Sequence, residues 1–301
     1  MEDNSFILKA YESALALLDD ATDPQIIIKT NISNDHHHIV KAIEPIKMAN
    51  RFWTNASQKS APVYFISVNE FGKDYLYDQL KELNFLDAMP DNSKWNEKTS
   101  DAIFGSGGHS FVDNKPVLLY WQVAGSNNKF DDTGTLKTAP HLFTHAIQSA
   151  TFVGSGNIIT DLPGWFVEGQ ADFVGLFSIS KSFSDYLSHR RNFFSIAYVP
   201  GEHENKVKIK KYSVLDWYES MLNSPQKFAG IKLVDEYYSG LLAYELLLSI
   251  VGSANIISIY KKFLDGKDFY ELVKIYSGYT KEEFCMLVAQ KLFLTSKNII
   301  T

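Results

Sequence analysis

The chain has 301 residues, 45% of them apolar and 21% charged, an ordinary globular composition that excludes intrinsic disorder and collagen-like repeats. A formal net charge of −6 makes it a poor nucleic-acid binder, because phosphate neutralisation needs clustered positive charge. A single cysteine, Cys285, excludes an intramolecular disulfide and a cysteine-based zinc ribbon, and leaves eight histidines as nitrogen donors.

In chain order, Met1–Asn4 is acidic, and Phe6–Leu18 carries Lys9 and Glu12. A secretory signal needs a basic start and a clean apolar run, so this segment reads as an amphipathic helix. Ile26–Ile32 is short and β-branched, as a strand is. His38–Trp53 has helical spacing with Pro45 as a bend. Val63–Val68 reads as a second strand and Phe71–Leu83 as a helix. Ser93–Gly108 is a polar, glycine-rich connection, Val117–Trp121 a third strand, and Gly125–Lys137 a loop of Ser, Asn, Asp and Gly.

From Thr138 onward the patterns are almost all helical, with segments starting near Thr138, Asp161, Ser184, Ser213, Leu233, Ser253, Asp268 and Thr280. Thr280-Lys281-Glu282-Glu283 has the form of a capping box. The greasiest stretch, Leu241–Val251, is interrupted by Glu245 and is too short to span a bilayer of about 30 Å. No membrane insertion is expected, and a soluble, cytoplasmic protein is. The fold class is α+β, with a mixed α/β part over residues 1–137 containing a small sheet and an all-α part over 138–301.

His141-Leu142-Phe143-Thr144-His145 stands where the helical part begins. Histidines at i and i+4 leave one helix face about a turn apart, which suits two ligands of one zinc ion. Eight histidines in this length give about 0.2 such pairs by chance, so the pair alone is weak. A second helix, beginning in Leu162-Pro163-Gly164-Trp165-Phe166-Val167-Glu168-Gly169-Gln170-Ala171-Asp172, strengthens it. The 22 residues between His145 and Glu168 are enough for one helix to end and the chain to return. Glu168 can then be a third ligand, leaving the open position of a catalytic zinc site. Asp172, one turn on, can accept the second N–H of a ligand histidine.

These two blocks resemble the gluzincin clan of zinc metallopeptidases, in its peptidase-MA-like branch. Ala139–Gln148 is similar to the surroundings of the family's His-Glu-x-x-His. The Leu-Pro-Gly-Trp-Phe-Val-Glu-Gly-Gln-Ala-Asp block is similar to its Pro-x-Trp-x-x-Glu-Gly segment. Glu236-Tyr237-Tyr238-Ser239-Gly240, Gly252 and Thr280–Leu292 resemble the helical C-terminal part of such proteins. The likeness is strong over residues 110–180, moderate to the C-terminus and thin before residue 60. It implies a zincin-like fold with the zinc cleft between the two parts, Zn2+ held by His141, His145 and Glu168, and a peptide or protein as substrate or ligand. It also implies an oxyanion-stabilising tyrosine from the C-terminal helices, Tyr238 or Tyr237, although either of 16 tyrosines is more often a packing residue.

The sequence departs from the family at one decisive place. The residue after the first histidine is Glu in the family, where it serves as general base and acid, and Leu142 here. Leucine does neither, and the loss of general acid–base help is worth roughly 10²–10⁴-fold. Three readings stay open: a metallopeptidase homologue whose missing base comes from elsewhere, a pseudopeptidase that keeps metal and peptide binding without chemistry, or a Leu142 that is not the natural residue. Whether the chain is an enzyme turns on this position, and nothing in the sequence specifies substrate size or oligomeric state.

Other features weigh less. Strand Val117–Trp121 is either a cleft edge that takes a peptide as an added strand or an internal strand. Asp35-His36-His37-His38 reads as a solvated run, since successive helical residues diverge around the axis. Gly105-Ser106-Gly107-Gly108-His109 lacks the Gly-Lys-Ser/Thr ending of a phosphate loop and reads as a turn. Lys206–Lys211 alternates lysine with apolar residues, as an exposed edge strand or lid does. Cys285 falls in a helical apolar pattern as a buried thiol. No Gly-x-Ser-x-Gly elbow supports a serine hydrolase.

Overall fold

The computed structural model describes residues 4–18, 23–34, 36–54, 63–68, 71–83, 108–110, 117–122, 136–151, 161–196, 212–223 and 233–299. They form an α+β protein, mostly helical with one small sheet. Packing divides the chain into two compact units, Ala21–Val153 and Met1–Asp20 with Gly154–Thr301.

The Ala21–Val153 unit is built on four strands, β1 (Ile26–Thr30), β2 (Val63–Val68), β3 (Gly108–Ser110) and β4 (Val117–Gln122), in the order β1-β2-β4-β3. β1, β2 and β4 run parallel, with Ile26 opposite Val63 and Val63 opposite Val117. β3 is antiparallel to β4, with His109 opposite Leu119. β2, Val-Tyr-Phe-Ile-Ser-Val, is buried along nearly its whole length, as a strand covered on both faces must be. Helix α1 (Ser5–Leu15) belongs to the other unit, and the helices among the described residues here are α2 (His37–Thr54), α3 (Lys73–Glu82) and α4 (Thr138–Thr151). α3 packs on β2, and α4 packs on α2, β4 and β3. Pro45 lies inside α2 without ending it.

Two of the sequence readings meet the structure here. β4 is interior, flanked by β2 and β3, so the strand Val117–Trp121 offers no free edge. The edge belongs to β3, part of the glycine-rich segment that reads as a turn; Gly and Ser have little strand propensity, and pairing with β4 overrides it. Residues 93–107, 125–135 and 206–211 lie outside the described residues.

α4 is pinned at the turn that carries the histidines. The Trp53 indole Nε1 donates to Thr144 Oγ1 at 3.3 Å, and that hydroxyl donates to the Pro140 carbonyl at 3.0 Å. Thr144 is fully buried, so this link between α2 and α4 fixes the rotation of α4 about its axis.

The other unit gathers α1 (Ser5–Leu15), α5 (Gly164–Ser178), α6 (Phe183–Ile196), α7 (Val214–Leu222), α8 (Leu233–Val251), α9 (Ser253–Leu264), α10 (Phe269–Ser277) and α11 (Lys281–Ile299). α1 buries Phe6, Ile7, Ala10, Tyr11 and Ala14, the stripe of an amphipathic helix, and packs on α8. α5 and α8 form the centre. Every residue from Trp165 to Ser178 is buried, and so is 238–248, as expected of helices apolar all round. Their contact is backbone on backbone at Gly169 and Gly240, where an added Cβ on Gly169 would lie 2.1 Å from the Gly240 carbonyl oxygen.

The helix starts follow the caps. Thr280 and Glu283 form the predicted box, with Thr280 N donating to Glu283 Oε2 at 2.8 Å and Glu283 N to Thr280 Oγ1 at 3.2 Å. Ser213 and Asp216 form a second box at α7. α10 begins at the Asp268 cap and ends at Gly278, whose φ of 81° suits glycine. Among the described residues no single helix is long and apolar enough to cross a membrane.

Candidate metal centre

His141 and His145 leave the same face of α4, both nearly fully buried. Their Nε2 atoms are 3.0 Å apart and their rings meet edge to face, centroids 4.6 Å apart. His145 Nδ1 lies 2.8 Å from Gln148 Oε1. An amide oxygen only accepts, so His145 carries its proton on Nδ1 and turns a bare Nε2 toward His141. Two Nε2 ligands of a tetrahedral ion, each at 2.0–2.1 Å, stand about 3.3 Å apart. The observed pair is close to that spacing, and 3.0 Å leaves no space for a proton on both nitrogens.

Glu168 and Asp172 lie one turn apart on α5, at 3% and 0% exposure. Pro163 sets the start of that helix, with extended backbone and a carbonyl that accepts from Phe166 N. His141, His145 and Glu168 each offer one ligand atom, and these atoms lie within 4.8 Å of one another. They are the one such group of three among the described residues.

Charge bears on whether a metal fits. The charged side chains buried among the described residues are Glu168, Asp172, Arg190 and Glu245. Arg190 and Glu245 pair with each other, Nε donating to both carboxylate oxygens at 2.9 and 3.0 Å. Glu168 and Asp172 are the other two, and a buried carboxylate is stable where hydrogen bonds or opposite charge meet it. The donor set, two imidazoles and a carboxylate without thiolates, is one that divalent transition metals accept, zinc among them.

The remaining sequence candidates are placed as follows. Leu142 is half-buried on α4, beside the ligand face. Tyr238 is 1% exposed, its ring stacked on Trp217 at 5.8 Å and edge-on to Phe194 at 4.6 Å, so the ring serves the aromatic core of the helical unit. The Tyr237 side chain lies outside the described residues. Asp172 contributes to holding the Tyr186 phenol well above its usual value, after burial, the Glu245 charge and the Glu245 hydrogen bond. The His36 and His37 rings stack 4.8 Å apart at the start of α2, and Asp35 lies outside the described residues. Cys285 is fully buried, and burial pushes its thiol up to about 12.

Sequence reasoning missed one support of the site and one buried ion pair of the helical unit. Gln148 orients His145 from one turn along the same helix, and its position at i+3 was the available signal. Arg190 answers Glu245, and the signal was a lone carboxylate in an otherwise apolar helix.

No protein-family model matches the chain, and neither a curated protein nor a solved structure does.

Proposed function

We propose that this chain is a zinc-binding metallopeptidase homologue of zincin-like fold, with His141, His145 and Glu168 as the metal ligands and a peptide or protein as the molecule it engages. The observation that carries the reading is the buried histidine pair with Glu168 in reach. The family resemblance of the two sequence blocks supports the same set.

Bound zinc would supply a Lewis acid able to make a water nucleophilic near neutral pH. The chain's own residues hold and orient: Gln148 keeps the His145 proton on Nδ1, and Thr144 with Trp53 fixes the turn of α4 that presents both rings. Asp172, one turn after Glu168, would be the carboxylate that accepts the second N–H of a ligand histidine. No residue at position 142 can take or deliver a proton, so peptide hydrolysis is slow. Leu142 favours a second reading, a zinc-loaded pseudopeptidase that binds a peptide without cleaving it.

Metal analysis of the purified full chain tests the proposal. About one zinc per chain, lost in His141→Ala while the fold persists, is the expected result; a wild-type chain with no affinity for zinc rejects it. Chelator-sensitive cleavage of a peptide library by the unaltered chain then selects the impaired peptidase over the pseudopeptidase.

A further inference from the structure

A second pair of imidazoles meets at the start of α2. The rings of His36 and His37 lie 4.8 Å apart, centroid to centroid, with 29° between their planes. His36 is half-buried and His37 exposed. Side chains of consecutive residues diverge when both residues are helical, but α2 begins at His37, and His36 stands just before it. His36 N donates to the Ser33 carbonyl at 3.0 Å, closing a turn, and the His36 carbonyl accepts from Ile39 N and Val40 N at 2.9 and 3.1 Å. The backbone passes from turn to helix between the two histidines, and this is how neighbours in sequence come to place their rings together.

The separation is one that two ligands of a single ion adopt. A metal–nitrogen bond of about 2.0–2.1 Å puts each imidazole centre about 3.2 Å from the ion, and ligand angles of about 90–110° then set the two centres about 4.5–5.2 Å apart. The His141 and His145 rings, 4.6 Å apart, fall in the same interval. Each imidazole has two nitrogens, so one can hold a hydrogen bond within the protein while the other ligates. Burial gives little reason for the contact, because one of its two rings is exposed. The positive end of the α2 dipole opposes a cation here and water competes for it, so binding is modest and reversible. Nitrogen ligands follow the usual divalent series, in which Cu2+ is held most tightly.

We propose that His36 and His37 are joint ligands of an exchangeable divalent transition-metal ion, Cu2+ above the others, with solvent filling the remaining positions. The site shares no residue with His141, His145 and Glu168, and the inference does not rest on the zinc reading.

The test is a Cu2+ titration of the metal-stripped full chain, followed by calorimetry and electron paramagnetic resonance. Expected is a binding step with two nitrogen ligands that His36→Ala and His37→Ala each weaken on the order of 10²-fold, since either change removes the partner that makes the second bond intramolecular. The double variant is no weaker than either single one. Copper also enters the His141 site where the zinc reading holds, so the step is recognised by its dependence on residues 36 and 37 and by its survival in His141→Ala. A titration without such a step, or with one that neither variant alters, overturns the proposal. Two partial losses that add in the double variant overturn it as well, because they describe two histidines binding separately. Circular dichroism checks the fold of each variant; should His36→Ala not fold, His37→Ala and its loss of one nitrogen from the spectrum decide. A chain that keeps this step and lacks a His141-dependent one rejects the zinc reading alone, and the reverse rejects this proposal alone.

Discussion

Gly169 meets Gly240 with nothing between their backbones: a Cβ on Gly169 would lie 2.1 Å from the Gly240 carbonyl oxygen and 2.3 Å from its carbon. The contact sits one residue after Glu168, so the separation of α5 and α8 also sets where that carboxylate stands. A Cβ on Gly240 would be less crowded, 2.8 Å from the Trp165 carbonyl oxygen and 3.0 Å from Gly169 N. Gly169→Ala is therefore expected to destabilise the fold by about 3 kcal/mol or more, because backbone cannot move aside as a side chain can. Gly240→Ala should cost less. Urea unfolding of the three proteins ranks them, and a Gly169→Ala chain as stable as the wild type would refute the close contact.

Gln148 makes a prediction about affinity rather than stability. Gln148→Leu removes the acceptor that keeps the His145 proton on Nδ1, so zinc binding is expected to weaken 10–100-fold, the usual effect of losing such a partner. Gln148→Glu preserves the acceptor and should retain tight binding. A chelator competition that finds Gln148→Leu unchanged would show that the ring is held by packing alone.

Leu142→Glu tests whether the chemistry is absent for want of one side chain. Leu142 is half-buried, so a glutamate there leaves no carboxylate sealed in the core. If the remaining machinery is intact, chelator-sensitive peptide cleavage should appear or rise by roughly 10²–10⁴-fold. Zinc still bound with no gain in cleavage would mean that the site has diverged at more positions than 142.

How much of this was legible in the sequence depended on whether the determinants were local. β2 at Val63–Val68 has the bounds read from its apolar run, and the Thr280 box closes as its spacing predicts. The histidine pair was visible because i and i+4 share a face in any helix. The partners of Glu245 and of Trp53 were not visible, since Arg190 lies 55 residues from Glu245 and Thr144 lies 91 from Trp53. β3 was missed for a related reason: three residues of weak propensity become a strand only through β4. The two glycines stood in blocks chosen for resemblance, but only packing shows that each is needed for the other.

Alkaline conditions should weaken the fold in a defined order. Cys285 is pushed up to about 12 by burial from an ordinary 9.0, and burial likewise raises Tyr186, Tyr244 and Tyr270 above their ordinary 10.0. Above each ordinary value the unfolded chain releases a proton that the folded chain keeps, so stability falls as pH rises. Loss is expected to begin near pH 9 with the thiol and to steepen above pH 10 with the phenols. Denaturant midpoints between pH 8 and 11 follow this, and Cys285→Ala should remove the earliest part. A wild-type midpoint unchanged through pH 11 would contradict the burial of these groups.

The docking of α1 on α8 has a consequence during synthesis. Residues 5–15 leave the ribosome well before residues 233–251, on which they are seated. The Ala21–Val153 unit is contiguous and can fold as soon as it emerges. Helix α1 meanwhile carries Phe6, Ile7, Ala10 and Tyr11 uncovered, and the loop it must close is long. The helical unit is thus the last to be completed, and a nascent chain halted after residue 153 would expose the apolar face of α1 to whatever chaperone waits at the exit.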